Sequence, residues 1–171
     1  MNHETVMVAH INGHNNYSGS INMDDLDDID RKILRDLQRD GRSSFKKIGE
    51  AAGVSEATVF VRVKKMQEKG IIKSFKAIID PKAVGKPLTA IVLVRANPKA
   101  FPGMLDALEK LDDVYEIYDV TGQYYSILKI RTEGTDELSR IILEIGNIDG
   151  IAGTETMIVL RTLKEDCGIR I

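Results

Sequence analysis

Apolar positions along this chain repeat with two different periods, helical in the first half and strand-like in the second. From Leu26 to Asp40, the residues Leu26, Ile29, Ile33, Leu34 and Leu37 fall on one helical face. Asp27, Asp28 and Asp30 crowd the first turn, where the helix dipole favours anions, and Gly41 ends the helix. A shorter helix follows from Ser44 to Ala52, with Ser44 as its cap and Phe45, Ile48 and Ala52 as its buried stripe. Gly53 then supplies a tight turn, Val54 plugs the angle between two helices, and Ser55 caps the next helix. That third helix runs to Lys69 with Val59, Val63 and Met66 inward, and Gly70 stops it. Ile71 and Ile72 open an extended stretch through Ile79. Two helices joined by a short glycine-containing turn, after a packing helix, predict a helix-turn-helix; a plain three-helix bundle is the alternative.

Asp80-Pro81 and Gly85-Lys86-Pro87 interrupt the pattern and mark a hinge. Beyond it, strands are predicted at Leu88 to Ala96, Val114 to Val120, Tyr124 to Thr132 and Ile151 to Leu163. Helices are predicted at Phe101 to Leu111, with Met104, Leu105 and Leu108 inward, and at Thr135 to Gly146, with Leu138, Ile141, Ile142 and Ile145 inward. The order βαββαβ is the ferredoxin-like topology, an antiparallel sheet with both helices on one face. Its other face is free for a second copy, so a homodimer is expected. The fold class is therefore α+β, a (winged) helix-turn-helix domain ahead of a ferredoxin-like domain. The expected boundaries are a tail over 1–23, a reader over 24–74, a hinge over 75–87, a sensing and assembly domain over 88–165, and a terminal tail over 166–171.

Charge sharpens this division. The formal net charge is only -2. Yet Arg31 to Lys73 holds twelve Lys/Arg against five Asp/Glu, while Leu88 to the end holds nine against fourteen. A basic half tied to an acidic half points to a nucleic-acid partner for the first. No apolar run is long enough for a membrane span, and the N-terminus has no cation before Arg31, so neither a membrane nor a secretory signal is expected. The single cysteine, Cys167, suits a reducing cytoplasm. His3, His10 and His14 all lie in the tail, which leaves no ordered histidine for acid–base chemistry. There is no P-loop, no dinucleotide glycine fingerprint and no compact metal-ligand cluster, so neither an enzyme, a cofactor nor a metal is expected.

The text LDDIDRKILRDLQRDGR at Leu26 to Arg42 and IGEAAGVSEATVFVRVKKMQEKGIIKSF at Ile48 to Phe75 resembles the leucine-responsive and asparagine-synthesis (Lrp/AsnC) regulators, also called feast/famine regulatory proteins. AIIDPKAVG at Ala77 to Gly85 and DVTGQYYSILKI at Asp119 to Ile130 carry the likeness onward, and archaeal members look nearest. The resemblance implies a transcription factor that dimerises, and often forms octamers, through an ACT-like C-terminal domain. It also implies a small-molecule effector, usually an amino acid, held between dimers.

On double-stranded DNA, the second helix of the motif enters the major groove. With Val59, Val63 and Met66 inward, Glu56, Ala57, Phe60, Val61 and Lys64 face outward beside the cap Ser55. Glu56 can accept from cytosine, and Phe60 or Val61 can touch thymine methyls; Phe60 can equally pack on the neighbouring strand. Arg42, Ser43, Ser44, Lys46, Arg62, Lys65 and Lys73 are candidates for phosphates, with a structural ion pair as the other role for Arg62 and a solvated face for the lysines. The resemblance puts the effector at Thr121, Gly122, Gln123, Tyr124 and Tyr125, with Thr154, Glu155 and Thr156 from the last strand. Family members commonly have Tyr or Phe then Asp after the turn glycine, whereas this chain has Tyr124-Tyr125. Without that Asp, three outcomes stand: a different ligand, a site shifted onto Glu155, or no ligand. A DNA-coating architectural protein is the alternative to a regulator of particular genes.

Overall fold

The structure, a computed structural model, describes residues 26–97 and 101–171. The expectations for the leader and its histidines lie outside them. The chain divides into two compact units: one contains residues 78–164, and the other contains the stretch up to Ala77 together with Glu165–Ile171.

The reader unit has three helices, α1 (Asp28–Arg39), α2 (Phe45–Ala52) and α3 (Glu56–Glu68). Each begins where a side chain satisfies a free backbone N–H. Asp27 and Asp30 form a reciprocal capping box on α1, Ser44 accepts from the Lys47 N–H, and Ser55 accepts from the Thr58 N–H. α2 ends at Gly53, whose φ of 75° is the left-handed conformation that a glycine adopts without a Cβ penalty. Ile33, Leu34, Leu37, Ile48, Val59, Val63 and Met66 form the core, with Val54 packed on its edge. Residues 73–80 belong to no helix or sheet among the described residues, and Phe75, Ile78 and Ile79 are exposed there.

The second unit is a four-stranded antiparallel sheet in the order β2-β3-β1-β4, built from β1 (Leu88–Ala96), β2 (Val114–Asp119), β3 (Ser126–Thr132) and β4 (Ile151–Ile158). This is the ferredoxin-like order. Helices α4 (Phe101–Leu108) and α5 (Thr135–Gly146) supply Met104, Leu108, Leu138, Ile141 and Ile145 to a core with Ala90, Val92, Val94, Leu128 and Ile130. Along β1 and β3 every second residue is buried, so one sheet face meets the helices. The opposite face carries Ile91, Leu93, Ile127 and Met157 in adjacent register positions.

Each reader helix falls one to three residues inside its expected span, and four elements of the sheet unit are shorter than expected for local reasons. α4 stops at Leu108 because Lys110 and Leu111 donate three residues back, tightening the last turn. β2 ends at Asp119, one residue before the expected Val120, whose N–H donates to the Tyr125 carbonyl across the turn. β3 starts at Ser126 because the Tyr125 N–H crosses to the Val94 carbonyl outside the regular ladder. β4 ends at Ile158 because its partner β1 begins at Leu88, and the Val159–Thr89 bond is the last one available.

Candidate nucleic-acid interface and effector turn

In the reader, Glu56, Ala57, Phe60, Val61 and Lys64 are all exposed on α3. Their spacing puts them on a single helical face, opposite the buried Val59, Val63 and Met66. Phe60 is 55% exposed and Val61 61%, an apolar display that a helix facing only water does not need. Phe60 packs in part on Phe45 of α2, ring centroids 6.3 Å apart and tilted by 57°, rather than on a neighbouring strand. One edge of the ring is thus steadied while the rest stays open.

Arg42 and Lys46 are exposed at the entrance of α2. Between them Ser43 donates to Asp40 at 3.2 Å and Ser44 caps α2, so both hydroxyls already have intramolecular partners. Asp40 also accepts from the Arg42 N–H, which holds its carboxyl below the usual range. Ser55 is likewise engaged, 2.8 Å from the Thr58 hydroxyl. Lys65 and Lys73 are exposed, and Lys64 lies 3.9 Å from Glu68.

Arg62 sits differently from the other cations. Its guanidinium donates to Asp27 at 2.7 Å and Asp30 at 2.9 Å, tying α3 to the N-terminus of α1. The Asp30 N–H first, and then Arg62, hold the Asp27 carboxyl below its ordinary pKa; Arg62 in turn is pushed upward by Asp27 and Asp30. The geometry favours the structural role for this arginine.

Sequence reasoning passed over Gly49, which is buried inside α2. A Cβ there would lie 2.7 Å from the Val54 carbonyl oxygen and 3.3 Å from the Ser55 carbonyl carbon. Only glycine lets the turn into α3 fold back so closely, and a helix-interior glycine was the signal available.

In the sheet unit, the turn between β2 and β3 holds Thr121, Gly122 and Gln123, all exposed, with Gly122 at φ 127°. The eight expected effector residues do not converge. Tyr124 reaches Glu155, its hydroxyl donating at 2.5 Å, and that bond raises the tyrosine pKa. Tyr125 packs instead on the helix-covered core. Thr154 and Thr156 pair across β1 with the buried Val94 and Val92, so they share that covered face, whereas Glu155 pairs with Leu93 on the opposite one. Strand alternation divides the set. The open face keeps the turn, Tyr124 and Glu155, and it gains Arg95, whose guanidinium nitrogen would stand 3.2 Å from a Cβ on Gly153. Arg95 is exposed and was not anticipated, although its place on β1 opposite the buried Val94 and Ala96 follows from the same alternation.

Residues 26–67 match the AsnC-type helix-turn-helix domain, and residues 89–169 match the Lrp/AsnC ligand binding domain. The chain belongs to the Lrp/AsnC family. It is 41% identical to the HTH-type transcriptional regulator FL11 of Pyrococcus horikoshii over 82% of this chain and 93% of that one. It is 38% identical to the HTH-type transcriptional regulator Ptr1 of Methanocaldococcus jannaschii, over 82% and 95%. Among solved structures, E. coli AsnC superposes with a TM-score of 0.80 at 33% identity, covering 85% of this chain and 99% of that one. A feast or famine regulatory protein of M. tuberculosis complexed with L-methionine gives 0.80 at 29% identity, over 85% and 99%. Like its relatives, this Lrp/AsnC protein is a transcriptional regulator and not an enzyme. No helix among the described residues is long and apolar enough to cross a membrane.

Proposed function

We propose that this Lrp/AsnC regulator reads a specific, roughly palindromic operator as a homodimer in the cytoplasm, and that an amino acid or related metabolite adjusts that binding. Residues 24–74 are the reader, 75–87 the hinge, and 88–165 the sensing and assembly domain. The observation that carries the reading is the open face of α3, where Glu56, Ala57, Phe60, Val61 and Lys64 stand exposed on a capped, packed helix. Glu56 accepts from cytosine, Phe60 and Val61 meet thymine methyls, and Arg42, Lys46, Lys65 and Lys73 hold phosphates. The two-fold axis sets the two reading helices about one DNA turn, or a multiple of it, apart.

Dimerisation is supported by two surfaces. The sheet's second face presents Ile91, Leu93, Ile127 and Met157, and residues 73–80, outside the sheet, expose Phe75, Ile78 and Ile79. Large apolar side chains displayed together in this way mark surfaces that another chain covers. Octamers, which the family likeness suggests, would bridge several sites and raise affinity through multivalency.

For the effector, the methionine-bound M. tuberculosis relative supports an amino acid. Arg95 and Glu155 on the open face offer a cation for a carboxylate and an anion for an ammonium group, and Glu155 compensates for the Asp that Tyr125 replaces. The Gly122 turn adds exposed N–H groups near the carboxylate. Thr154, Thr156 and Tyr125 then support the site from below.

Selection of bound sequences from random duplex DNA at near-physiological salt, with and without mixed amino acids, tests this function. A palindromic consensus altered by one amino acid is the expected result. Salt-sensitive binding without a consensus would replace it with the architectural, DNA-coating reading.

A further inference from the structure

The last seven residues are not an idle terminus. They belong to the reader unit, although the chain enters them directly from the sheet unit. Gln38 on α1 makes a reciprocal pair with the Ile169 backbone: its amide donates to the Ile169 carbonyl at 3.0 Å and accepts from the Ile169 N–H at 2.6 Å. Three residues earlier on the same helical face, Arg35 Nε donates to the Ile171 main-chain oxygen at 2.9 Å. The Ile171 side chain is half-buried against the cluster of Ile33, Leu34 and Leu37. Asp166 turns the approach by accepting from the Gly168 N–H at 2.8 Å.

Backbone groups paired at two alternate positions, with an apolar side chain packed on the core, are how an extended peptide is held in a groove. The reader needs such a contact, because among its described residues only eight apolar side chains are buried and no sheet braces them. We propose that α1 carries a peptide-docking groove and that residues 165–171 occupy it as a latch, closing the bundle in its DNA-binding form. α1 is the right place for it: Asp27 and Asp30 at its start already hold α3 through Arg62. The chain thus passes between the units twice, at the 75–87 hinge and again at Glu165. The docking itself does not depend on the identity, or the existence, of an effector.

The single cysteine of the chain, Cys167, is exposed within the latch and accepts a fluorophore selectively. In the full-length protein, Gln38→Ala and Ile171→Asp should each release the labelled segment, lowering probe anisotropy and speeding amide exchange along α1 several-fold. Operator affinity should fall about three- to tenfold, the scale of losing a half-buried isoleucine and its hydrogen bonds. A chain truncated after Lys164 should show the same loosening of α1, and adding a synthetic peptide of residues 165–171 should restore protection. Unchanged α1 exchange in Ile171→Asp and in the truncated chain would overturn the latch. Protection that appears only as protein concentration rises would also overturn it, by assigning the groove to the tail of a second copy.

Discussion

The reader and the sheet unit solve different problems with different margins. Among the described residues the sheet unit buries eleven apolar residues in one continuous core, while the reader buries eight. To compensate, the reader relies on discrete devices: three side-chain caps, an α1–α3 ion pair, a glycine at the inter-helix turn and a docked terminal segment. The sheet unit relies on packing and on a ladder of backbone bonds that runs through all four strands. Its candidate functional residues are consequently sorted by alternation, whereas those of the reader are sorted by helical periodicity. Damage to one device should therefore cripple the reader, and comparable damage in the sheet unit should spread and be absorbed.

The sharpest break of that contrast is Gly49→Val. Its Cβ meets backbone atoms that cannot swing aside, so α2 and α3 must separate. DNA binding should vanish and the helical signal of the reader should drop, while the sheet unit keeps its melting transition in calorimetry. A Gly49→Val protein that still binds operator at wild-type strength would mean the turn yields more easily than its geometry indicates.

Core truncations compare the two margins directly. Ile48→Ala and Leu128→Ala each empty a fully buried position, and each should cost about 2–5 kcal/mol. The same loss is the larger fraction of the smaller core's stability. The Ile48→Ala reader should be largely unfolded at ambient temperature, and Leu128→Ala should lower the sheet transition without abolishing it. Equal retention of both folded units would erase the proposed difference.

A third comparison lies within the sheet. Glu155→Gln or Arg95→Ala should weaken amino-acid binding by about tenfold or more, the order expected for one charge-assisted hydrogen bond. Thr154→Val, one residue along but on the covered face, should change it little. Isothermal titration of the three variants decides; a larger effect from Thr154 would move the ligand to the helix side.

These contrasts also explain what was legible in the sequence. Helix faces, caps and the strand order followed from periodicity and from Ser44, Ser55, Gly53 and Gly122, because each acts through its neighbours along the chain. The family text pointed to the Gly122 turn but grouped residues by proximity in sequence. Tyr124 and Tyr125 are adjacent yet on opposite faces, and the same is true of Thr154 and Glu155. Period-two alternation was enough to divide them. What no local pattern reveals is the pairing of Gln38 with Ile169, 131 residues apart. Arg62 lies between these cases: its two roles were both readable, and only the positions of Asp27 and Asp30 chose one.

The mildest expected effect comes from acidification, and its sign follows from Asp27. The folded state holds this carboxyl below the ordinary aspartate range, first through the Asp30 N–H and then through Arg62. A group lowered in the folded state adds stability that is present above its unfolded pKa and lost as pH falls through the folded one. Asp40, lowered by the Arg42 N–H, acts in the same direction in the same unit. In the sheet unit Lys86 is shifted upward through Asp113 and Tyr124 through Glu155, and their titration belongs to alkaline solution. Lys86 contributes stability below its unfolded pKa of 10.5 that is lost only as pH rises through the raised value. Falling pH, from about 4 downward, should therefore loosen the reader before these sheet contacts respond. Amide exchange followed separately in α1 and β1 measures the order, and Asp27→Asn should remove much of the reader's acid sensitivity while slightly weakening it at neutral pH. Simultaneous acid opening of α1 and β1 in the wild-type protein would show that a carboxylate outside these contacts governs both units.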